Sequence, residues 1–116
     1  MMGEDTLFAK IARGEIPSDE VYSDEEYFAF RDIAPGAPTH ILIVPRKPIP
    51  KISDATAEDR ALLGGLLLKA AEIARTEGLE EDGYRLVINC GKDGGQTVYH
   101  LHLHILGGRQ MNWPPG

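Results

Sequence analysis

Hydrophobic positions repeat with a helical period in two stretches of the chain. Residues 6–13 carry apolar side chains on one face, which predicts a short helix. Residues 56–77 form a longer helical pattern, with Thr56 as a candidate N-terminal cap and Gly78 directly after its end. Within this helix, Gly64–Gly65 costs helical propensity, which indicates either close approach of another backbone or simple tolerance.

Five other stretches are rich in β-branched and aromatic residues and are predicted to be strands. They are residues 21–23, 27–32, 40–45, 84–89 and 100–106. The third is an unbroken apolar run, typical of a strand buried on both faces, so we expect it at the centre of a sheet. A glycine-rich loop, residues 91–96, separates the last two strands. This order of elements predicts an α+β fold: an antiparallel five-stranded sheet with one long and one short helix.

Composition limits the classes of protein to consider. A length of 116 residues fits one hydrophobic core, so we expect a single domain over residues 1–116. The net charge is −6 and basic residues are scattered apart from Arg46 and Lys47, which argues against nucleic acid as a partner. The longest apolar run, residues 61–68, is too short to span a bilayer, so no membrane partner is expected. A single cysteine and the lack of a signal-peptide pattern at the N-terminus predict a cytoplasmic location.

Three of the four histidines alternate with leucine in the last predicted strand: His100, His102 and His104. Because side chains alternate across a strand, the three imidazoles share one face while the apolar residues between them enter the core. Neighbouring histidines on such a face lie roughly 6.6 to 6.8 Å apart at the backbone, close enough for their rings to converge on one small group. Histidines buried in a core for packing alone are the plainest alternative.

Metal binding is the main chemical alternative, because imidazole is a common zinc ligand. His40 offers a further ligand, but no acidic residue follows His104 to complete a strand-type metal site. We therefore expect no metal, while a strand histidine pair remains able to chelate zinc adventitiously.

The loop before the histidines favours a phosphate instead. Residues 93–97, Asp-Gly-Gly-Gln-Thr, offer unobstructed backbone amides, a side-chain amide and a hydroxyl, which suit an anionic phosphoryl oxygen. A flexible glycine turn is the alternative for the loop taken alone. Phosphate together with histidines indicates nucleophilic phosphoryl or nucleotidyl transfer, because a histidine with one unprotonated ring nitrogen is a competent nucleophile.

The stretch from His100 to Leu106 resembles the His-x-His-x-His-x-x signature of the histidine-triad (HIT) superfamily, in which x is apolar. The resemblance covers nearly the whole chain and extends to residues 5–11, 31–35, 38–40, 94–99 and 107–116. It is closest to the Hint branch, the histidine-triad nucleotide-binding proteins. The dinucleoside-polyphosphate hydrolase branch shares the triad and the Gly-Gln-Thr-Val stretch, but the Trp-Pro-Pro-Gly ending separates the two. His104 stands where the galactose-1-phosphate uridylyltransferase branch has Gln, which favours hydrolysis over transfer.

The resemblance implies catalytic roles for five residues. It makes His102 the nucleophile, with His104 contacting a phosphate oxygen. It makes His100 and His40 the supporting hydrogen-bond and proton network. It also implies that Thr97, where the family often has Ser, assists the leaving group.

The resemblance likewise implies the substrate-binding residues. Around the phosphate and leaving group it implies Asn89, Gly95 and Gln96. For the base it implies an apolar pocket of Phe8, Ile11, Phe30 and Ile33. Asp32 matches a carboxylate that binds the ribose hydroxyls, and a role as an ordinary turn residue is its alternative. Arg31 stands where relatives commonly have His, at the expected rim of the base pocket, and Trp113 is expected to border the substrate pocket.

The family resemblance therefore implies an enzyme that hydrolyses purine nucleoside 5′-monophosphoramidates of the adenosine type through a nucleotidyl-histidine, without a cofactor. It implies a homodimer whose two sheets join into one continuous ten-stranded sheet, with AMP-type purine nucleotides as ligands. Two alternatives remain: a nucleotide-binding or protein-interaction module with incidental catalysis, and a zinc-binding protein.

Overall fold

A computed structural model describes residues 5–116 of the chain. Residues 1–4, part of the stretch on which the absence of a signal peptide was judged, lie outside the described residues. Two α-helices and five strands make up the fold, with two 3₁₀ turns, Ile52–Asp54 and Ala57–Asp59, between β3 and α2. In chain order the elements are α1 (Leu7–Ala12), β1 (Glu20–Ser23), β2 (Tyr27–Arg31), β3 (Thr39–Pro45), α2 (Arg60–Thr76), β4 (Tyr84–Val87) and β5 (Leu103–Gly107).

The five strands form one sheet in the order β1-β2-β3-β5-β4, and each neighbouring pair is antiparallel. The predicted α+β fold with a five-stranded antiparallel sheet is therefore confirmed. The third strand lies in the middle of the sheet, and its residues from Ile41 to Pro45 are buried. The unbroken apolar run of β3 is thus explained, because elements cover both of its faces.

The two faces of the sheet carry separate hydrophobic clusters. On one face α2 packs through Leu66, Ala70, Ile73 and Ala74 against a core that includes Leu103 and Ile105 of β5. On the other face the short helix α1 covers an aromatic cluster. Its buried members are Phe8, Ile11, Ala12, Phe28, Phe30, Leu42 and Val44. The histidine-bearing side of the sheet is therefore the side that α1 covers.

The helix boundaries differ in detail from the sequence-based prediction. Thr56 does act as a cap, but for the 3₁₀ turn before α2: its side chain accepts from Glu58 N, and Asp59 bonds back to Thr56 N. The α-helix itself begins only at Arg60. The capping box is completed within the 3₁₀ turn Ala57–Asp59. The helical pattern in the sequence therefore begins at Thr56, four residues before the α-helix.

The two glycines of α2 were expected to reflect either close approach of another backbone or simple tolerance, and the structure gives each its own explanation. A Cβ on Gly65 would overlap the hydroxyl of Tyr27, which is buried and donates to the carbonyl of Leu62 at 2.7 Å. A Cβ on Gly64 would meet nothing within 4 Å. Close packing of a side chain thus explains Gly65, and Gly64 is simply tolerated.

The last two strands are shorter than predicted. β4 ends at Val87 and β5 starts at Leu103, so His100 and His102 precede the strand that holds His104. No helix in the described part of the chain is long and apolar enough to cross a membrane.

Candidate active site

The three triad histidines lie in one extended segment, but each has a different environment. Leu101, Leu103 and Ile105 are fully buried, as the alternating pattern predicts. His100 is also fully buried, His102 is 6% exposed, and His104 is half-buried within β5. Residues 100–102 therefore alternate their side chains between two faces as a strand does, but they are not paired with a neighbouring strand of the sheet.

His102 is held by the backbone of its own segment. Its Nδ1 lies 2.7 Å from the carbonyl oxygen of His100. A carbonyl can only accept a hydrogen bond, so Nδ1 carries the proton and the neutral ring keeps its lone pair on Nε2. Burial lowers the pKa of His102 below its ordinary value of 6.5, which keeps the imidazole neutral. An imidazole in this state is a ready nucleophile.

His40 and His104 form a second chain of hydrogen bonds. The backbone N–H of Gly36 donates to Nδ1 of His40 at 2.9 Å, and Nε2 of His40 lies 2.9 Å from Nδ1 of His104. With both rings neutral, His40 carries its proton on Nε2 and donates it, which leaves the proton of His104 on Nε2. Burial, followed by the neighbouring imidazoles, lowers the pKa of His104 to about 4, and burial also lowers the pKa of His40. His104 therefore offers an N–H donor without a full charge.

Asp32 joins this chain from the end of β2. One carboxylate oxygen lies 3.5 Å from Nε2 of His40, and the other accepts the backbone N–H of Ala34 at 2.8 Å. The turn role and the site role considered for Asp32 are thus compatible. The carboxylate partly opposes the lowering of the pKa of His40 that burial causes.

An aromatic wall stands beside the histidines. The ring of Phe8 in α1 meets the imidazole of His102 edge-on, with centroids 4.8 Å apart, and meets Phe30 of β2 at 5.4 Å. Ile11 is buried in the same cluster. Ile33 is different, because its side chain is 99% exposed. Three of the four residues expected in a base pocket are therefore packed together, and the fourth lies at the surface.

The glycine-rich loop is held largely by its own groups. Gly95, at a φ of +83°, donates its backbone N–H to Lys92, and Gln96 donates its own to Gly91. The side chain of Asn89 donates to the carbonyl of Gly94 at 2.7 Å. Two amides expected to face a phosphate thus already have acceptors inside the loop. Thr97 is exposed at the end of the loop, three residues before His100 in the sequence.

The side chain of Gln96 is buried and fully used. Its Oε1 accepts from Gly91 N at 3.0 Å, and its Nε2 donates to the carbonyls of Pro50 and Val98. Gln96 therefore ties the loop to the chain that follows β3.

Residues 45–50, which comprise the last residue of β3 and the chain that follows it, support the histidine segment, a role that was not predicted from the sequence. Nε2 of His100 donates to the carbonyl of Pro45 at 2.7 Å, and the N–H of Leu101 donates to Ile49 at 2.7 Å. Three prolines in six residues could have indicated this role, because proline carbonyls accept hydrogen bonds but proline nitrogens donate none. His100 is thus a buried anchor, and its carbonyl in turn orients His102.

Arg31 and Trp113 lie away from the histidines. The guanidinium of Arg31 pairs with the carboxylate of Glu77 at 3.0 and 3.1 Å, on the α2 side of the sheet. Its expected place at the rim of the base pocket is therefore wrong, because side chains alternate and Arg31 faces away from Phe30. Trp113 is 82% exposed and lies 5.9 Å from the guanidinium of Arg85, whose Nη2 donates to the carbonyl of Asn112.

One group of side chains could hold a metal ion in the described part of the chain. Asp32, His40 and His104 each offer a ligand atom, and these atoms lie within 4.8 Å of one another. No acidic residue follows His104 in the sequence, and the acidic member of this group, Asp32, instead comes from the end of β2. Hydrogen bonding between the two imidazoles already uses Nε2 of His40 and Nδ1 of His104.

Comparisons with known proteins show the family to which the chain belongs. The HIT domain family model matches residues 13–111. The chain belongs to the HIT family. It is 56% identical over 110 residues to the purine nucleoside phosphoramidase of Escherichia coli, covering 95% of this chain and 92% of that protein. An uncharacterised HIT-like protein of Synechococcus elongatus is 62% identical over 115 residues, 99% of this chain and all of that one.

A solved structure shares the fold throughout. A HIT family hydrolase from Legionella pneumophila superimposes with a TM-score of 0.95 at 56% identity, over 97% of this chain and all of that chain. The HIT fold expected from the triad signature is therefore confirmed. Membership in the HIT family does not by itself assign roles to single residues, which rest on the contacts described above.

Proposed function

We propose that this HIT protein hydrolyses purine nucleoside 5′-monophosphoramidates of the adenosine type, with His102 as the nucleophile. The observation that carries the proposal is the 2.7 Å contact between Nδ1 of His102 and the carbonyl oxygen of His100, because a carbonyl accepts and so requires the proton on Nδ1, which leaves Nε2 free to attack. The similarity to a protein named purine nucleoside phosphoramidase supports the choice of substrate. No cofactor takes part in the proposed reaction.

In the first step Nε2 of His102 forms a bond to phosphorus and the P–N bond breaks. The departing amine takes up a proton from solvent, relayed by the Thr97 hydroxyl. The N–H on Nε2 of His104 donates to a phosphoryl oxygen and stabilises the charge that develops there. Asn89 and Gly95 border the phosphate on the loop side, where glycine leaves room for close approach, and Gln96 keeps the loop in place.

In the second step water attacks phosphorus and the bond to His102 breaks. The water loses a proton to solvent, nucleoside monophosphate is released, and the imidazole returns neutral with its proton on Nδ1. Because its pKa is lowered by burial, His102 returns to this state at neutral pH.

The nucleoside is proposed to lie between Asp32 and the aromatic wall. The carboxylate of Asp32 accepts from the two ribose hydroxyls, since paired acceptors suit a vicinal diol. Phe8, Phe30 and Ile11 supply apolar contact to the purine, with the exposed Ile33 closing over its outer side.

We also propose a homodimer. Leu67 and Leu68 of α2 are exposed, and β4 lies at one end of the sheet with an unpaired edge, so both offer surface for a second copy to cover. Two β4 strands pairing edge to edge would give a ten-stranded sheet and cover backbone groups that an edge strand exposes.

Trapping the covalent intermediate tests the proposed reaction. After brief incubation with adenosine 5′-phosphoramidate and an alkaline denaturing quench, mass spectrometry should find one adenylyl group on the peptide that holds His102. The His102→Ala variant is the control and should carry none. Full turnover by the wild-type protein with no adduct at early times would rule out the covalent route.

Zinc binding is the second candidate, favoured by the Asp32, His40 and His104 group. A zinc protein would purify with one metal per chain and lose function on chelation. We expect metal analysis to find less than stoichiometric zinc and EDTA to leave phosphoramidate hydrolysis unchanged. Tight AMP binding without any turnover would instead favour the nucleotide-binding module.

A further inference from the structure

Arg46 makes a set of contacts that the proposed reaction does not use. It directly follows β3, and its half-buried guanidinium makes three hydrogen bonds. Nε donates to the carbonyl of Asp24 at 2.7 Å, Nη1 to the carbonyl of Ala12 at 2.5 Å, and Nη2 to the hydroxyl of Ser23 at 2.7 Å. The same group lies 5.6 Å from the ring centroid of Phe28. One side chain thus joins α1, the β1–β2 turn and the sheet.

The end of α1 depends on such a contact. The helix has only six residues, too few to be stable in water without tertiary contacts. The carbonyl of Ala12 is among those at a helix C-terminus that lack a helical partner, and a cation is favoured there. Cavities of about 480 and 240 Å³ flank this end of the helix, and Arg46 lines both. Hydrogen bonding by Arg46 therefore adds to the apolar packing of Ile11 and Ala12 at this end of the helix.

The position of α1 matters because it holds Phe8. Phe8 lies four residues before Ala12, so the two share one face of the helix. At the other end of that face the Phe8 ring meets His102 edge-on at 4.8 Å and Phe30 at 5.4 Å. A shift of the last turn of α1 would move this ring relative to the proposed nucleophile.

We propose that Arg46 is a positioning residue of the nucleoside pocket: it holds the last turn of α1 so that Phe8 packs against His102 and the purine. This inference rests on the proposed function for its effect on substrates. Its geometric part, the coupling of Arg46 to the Phe8–His102 contact, stands independently of any activity.

The test replaces the guanidinium of Arg46 with another cationic group, so the positive charge at this position is kept. Arg46→Lys keeps a cation, but an ammonium cannot span three acceptors in the plane of a guanidinium fork. Arg31→Lys is the matched control, because Arg31 also holds a helix end, through Glu77 on the opposite face of the sheet. Ser23→Ala removes a single acceptor and serves as a milder second variant if Arg46→Lys fails to fold.

The first readout is substrate preference. Arg46→Lys should reduce the kcat/KM ratio of adenosine over uridine phosphoramidate by about fivefold, in keeping with the loss of a hydrogen bond or two. Arg31→Lys should leave the ratio unchanged. Phe8→Leu should lower the ratio similarly, and the double variant should show no further loss, since both changes act through one contact. If Arg46 contributed only to stability, Arg46→Lys would lower the kcat/KM for both substrates by the same factor and leave their ratio unchanged.

The second readout needs no substrate. Ring currents from Phe8 set the NMR shifts of the His102 imidazole protons, so these shifts should change in Arg46→Lys, change less in Ser23→Ala, and stay the same in Arg31→Lys. Unchanged His102 shifts in both Arg46→Lys and Ser23→Ala, or additive effects of Arg46→Lys and Phe8→Leu on preference, would overturn the proposal. If the wild-type protein does not hydrolyse phosphoramidates but the His102 shifts still change in Arg46→Lys, the proposed function is refuted and the coupling of Arg46 to the Phe8–His102 contact stands.

Discussion

At the scale of single residues, backbone groups decide where the protons of the site lie. The His100 carbonyl places a proton on Nδ1 of His102, and the Gly36 amide orients His40 and through it His104. Three alternating histidines were visible in the sequence. Their tautomers were not, because one partner lies 64 residues away in sequence and the others are main-chain atoms.

His102→Ala should abolish turnover while AMP binding survives. The nucleoside contacts belong to other residues, so binding should change little, whereas loss of the covalent route should reduce kcat by at least about a thousandfold. Steady-state kinetics and calorimetric titration with AMP measure the two effects. Retention of a tenth of the wild-type activity would remove His102 from the role of nucleophile.

His104 should make the protein less stable in mild acid. Its pKa is about 4 in the folded state against an ordinary value of 6.5. Between these values the unfolded chain binds a proton that the folded chain does not, so the free energy of unfolding falls as pH drops through this window. The slope from one such group is at most about 1.4 kcal/mol per pH unit.

Urea unfolding at fixed protein concentration across this window would measure the effect. The His104→Gln variant lacks the titrating group, so its stability should fall less steeply with pH than that of the wild type. Equal slopes in the two proteins would mean that His104 is protonated in the folded state at these pH values.

At the scale of elements, hydrophobic periodicity predicted both helices, and runs of β-branched and aromatic residues predicted the five strands, including β3, which is buried on both faces. It misplaced the start of β5 and gave no hint of the contacts made by residues 45–50. The histidine segment keeps the alternation of a strand while its hydrogen bonds go to proline-rich chain, and periodicity does not distinguish the two. The direction of Arg31 was predictable, since alternation along β2 puts it on the α2 side.

The two glycines of α2 should respond oppositely to alanine. Gly65→Ala should destabilise the protein by about 1 to 3 kcal/mol, because the new methyl group overlaps the rigid, hydrogen-bonded phenol of Tyr27. Gly64→Ala, with open space around its Cβ, should stabilise it by about 1 kcal/mol through helix propensity. Thermal or urea unfolding of both variants provides the comparison. A Gly65→Ala protein as stable as the wild type would show that Tyr27 can move without cost.

At the scale of the whole molecule, the two faces of the sheet are specialised. α2 covers one face with an aliphatic core, while the other face carries α1, the aromatic cluster and the histidines. Both outer strands, β1 and β4, have an unpaired edge. The segment 111–116 contacts β4 through the side chain of Arg85, and β4 is the strand at which we propose that a second copy docks.

Trp113 is 82% exposed in the single chain. Its ring lies beside the guanidinium of Arg85, not beside the triad histidines of the same chain. The resemblance to the Hint branch implies that in such a dimer the 111–116 segment lies near the partner's active site, and we propose that the indole of Trp113 makes an interface contact there. Deleting residues 111–116 should therefore leave the dimer intact, because the segment borders the central interface without forming it. The deletion should change the preference among amine leaving groups. If the lost indole contact is worth about 1.4 kcal/mol, the ratio of kcat/KM values for bulky and small amines should change by about tenfold.

Sedimentation would follow the oligomeric state, and kinetics on phosphoramidates of bulky and small amines would follow selectivity. Trp113→Ala is the matched variant: it removes the indole but keeps the backbone bond from Arg85 to Asn112. If the indole makes the contact, Trp113→Ala should reproduce most of the effect of the deletion. The same preference for bulky over small amines in the full chain, the deletion and Trp113→Ala would show that Trp113 takes no part in selecting the leaving group.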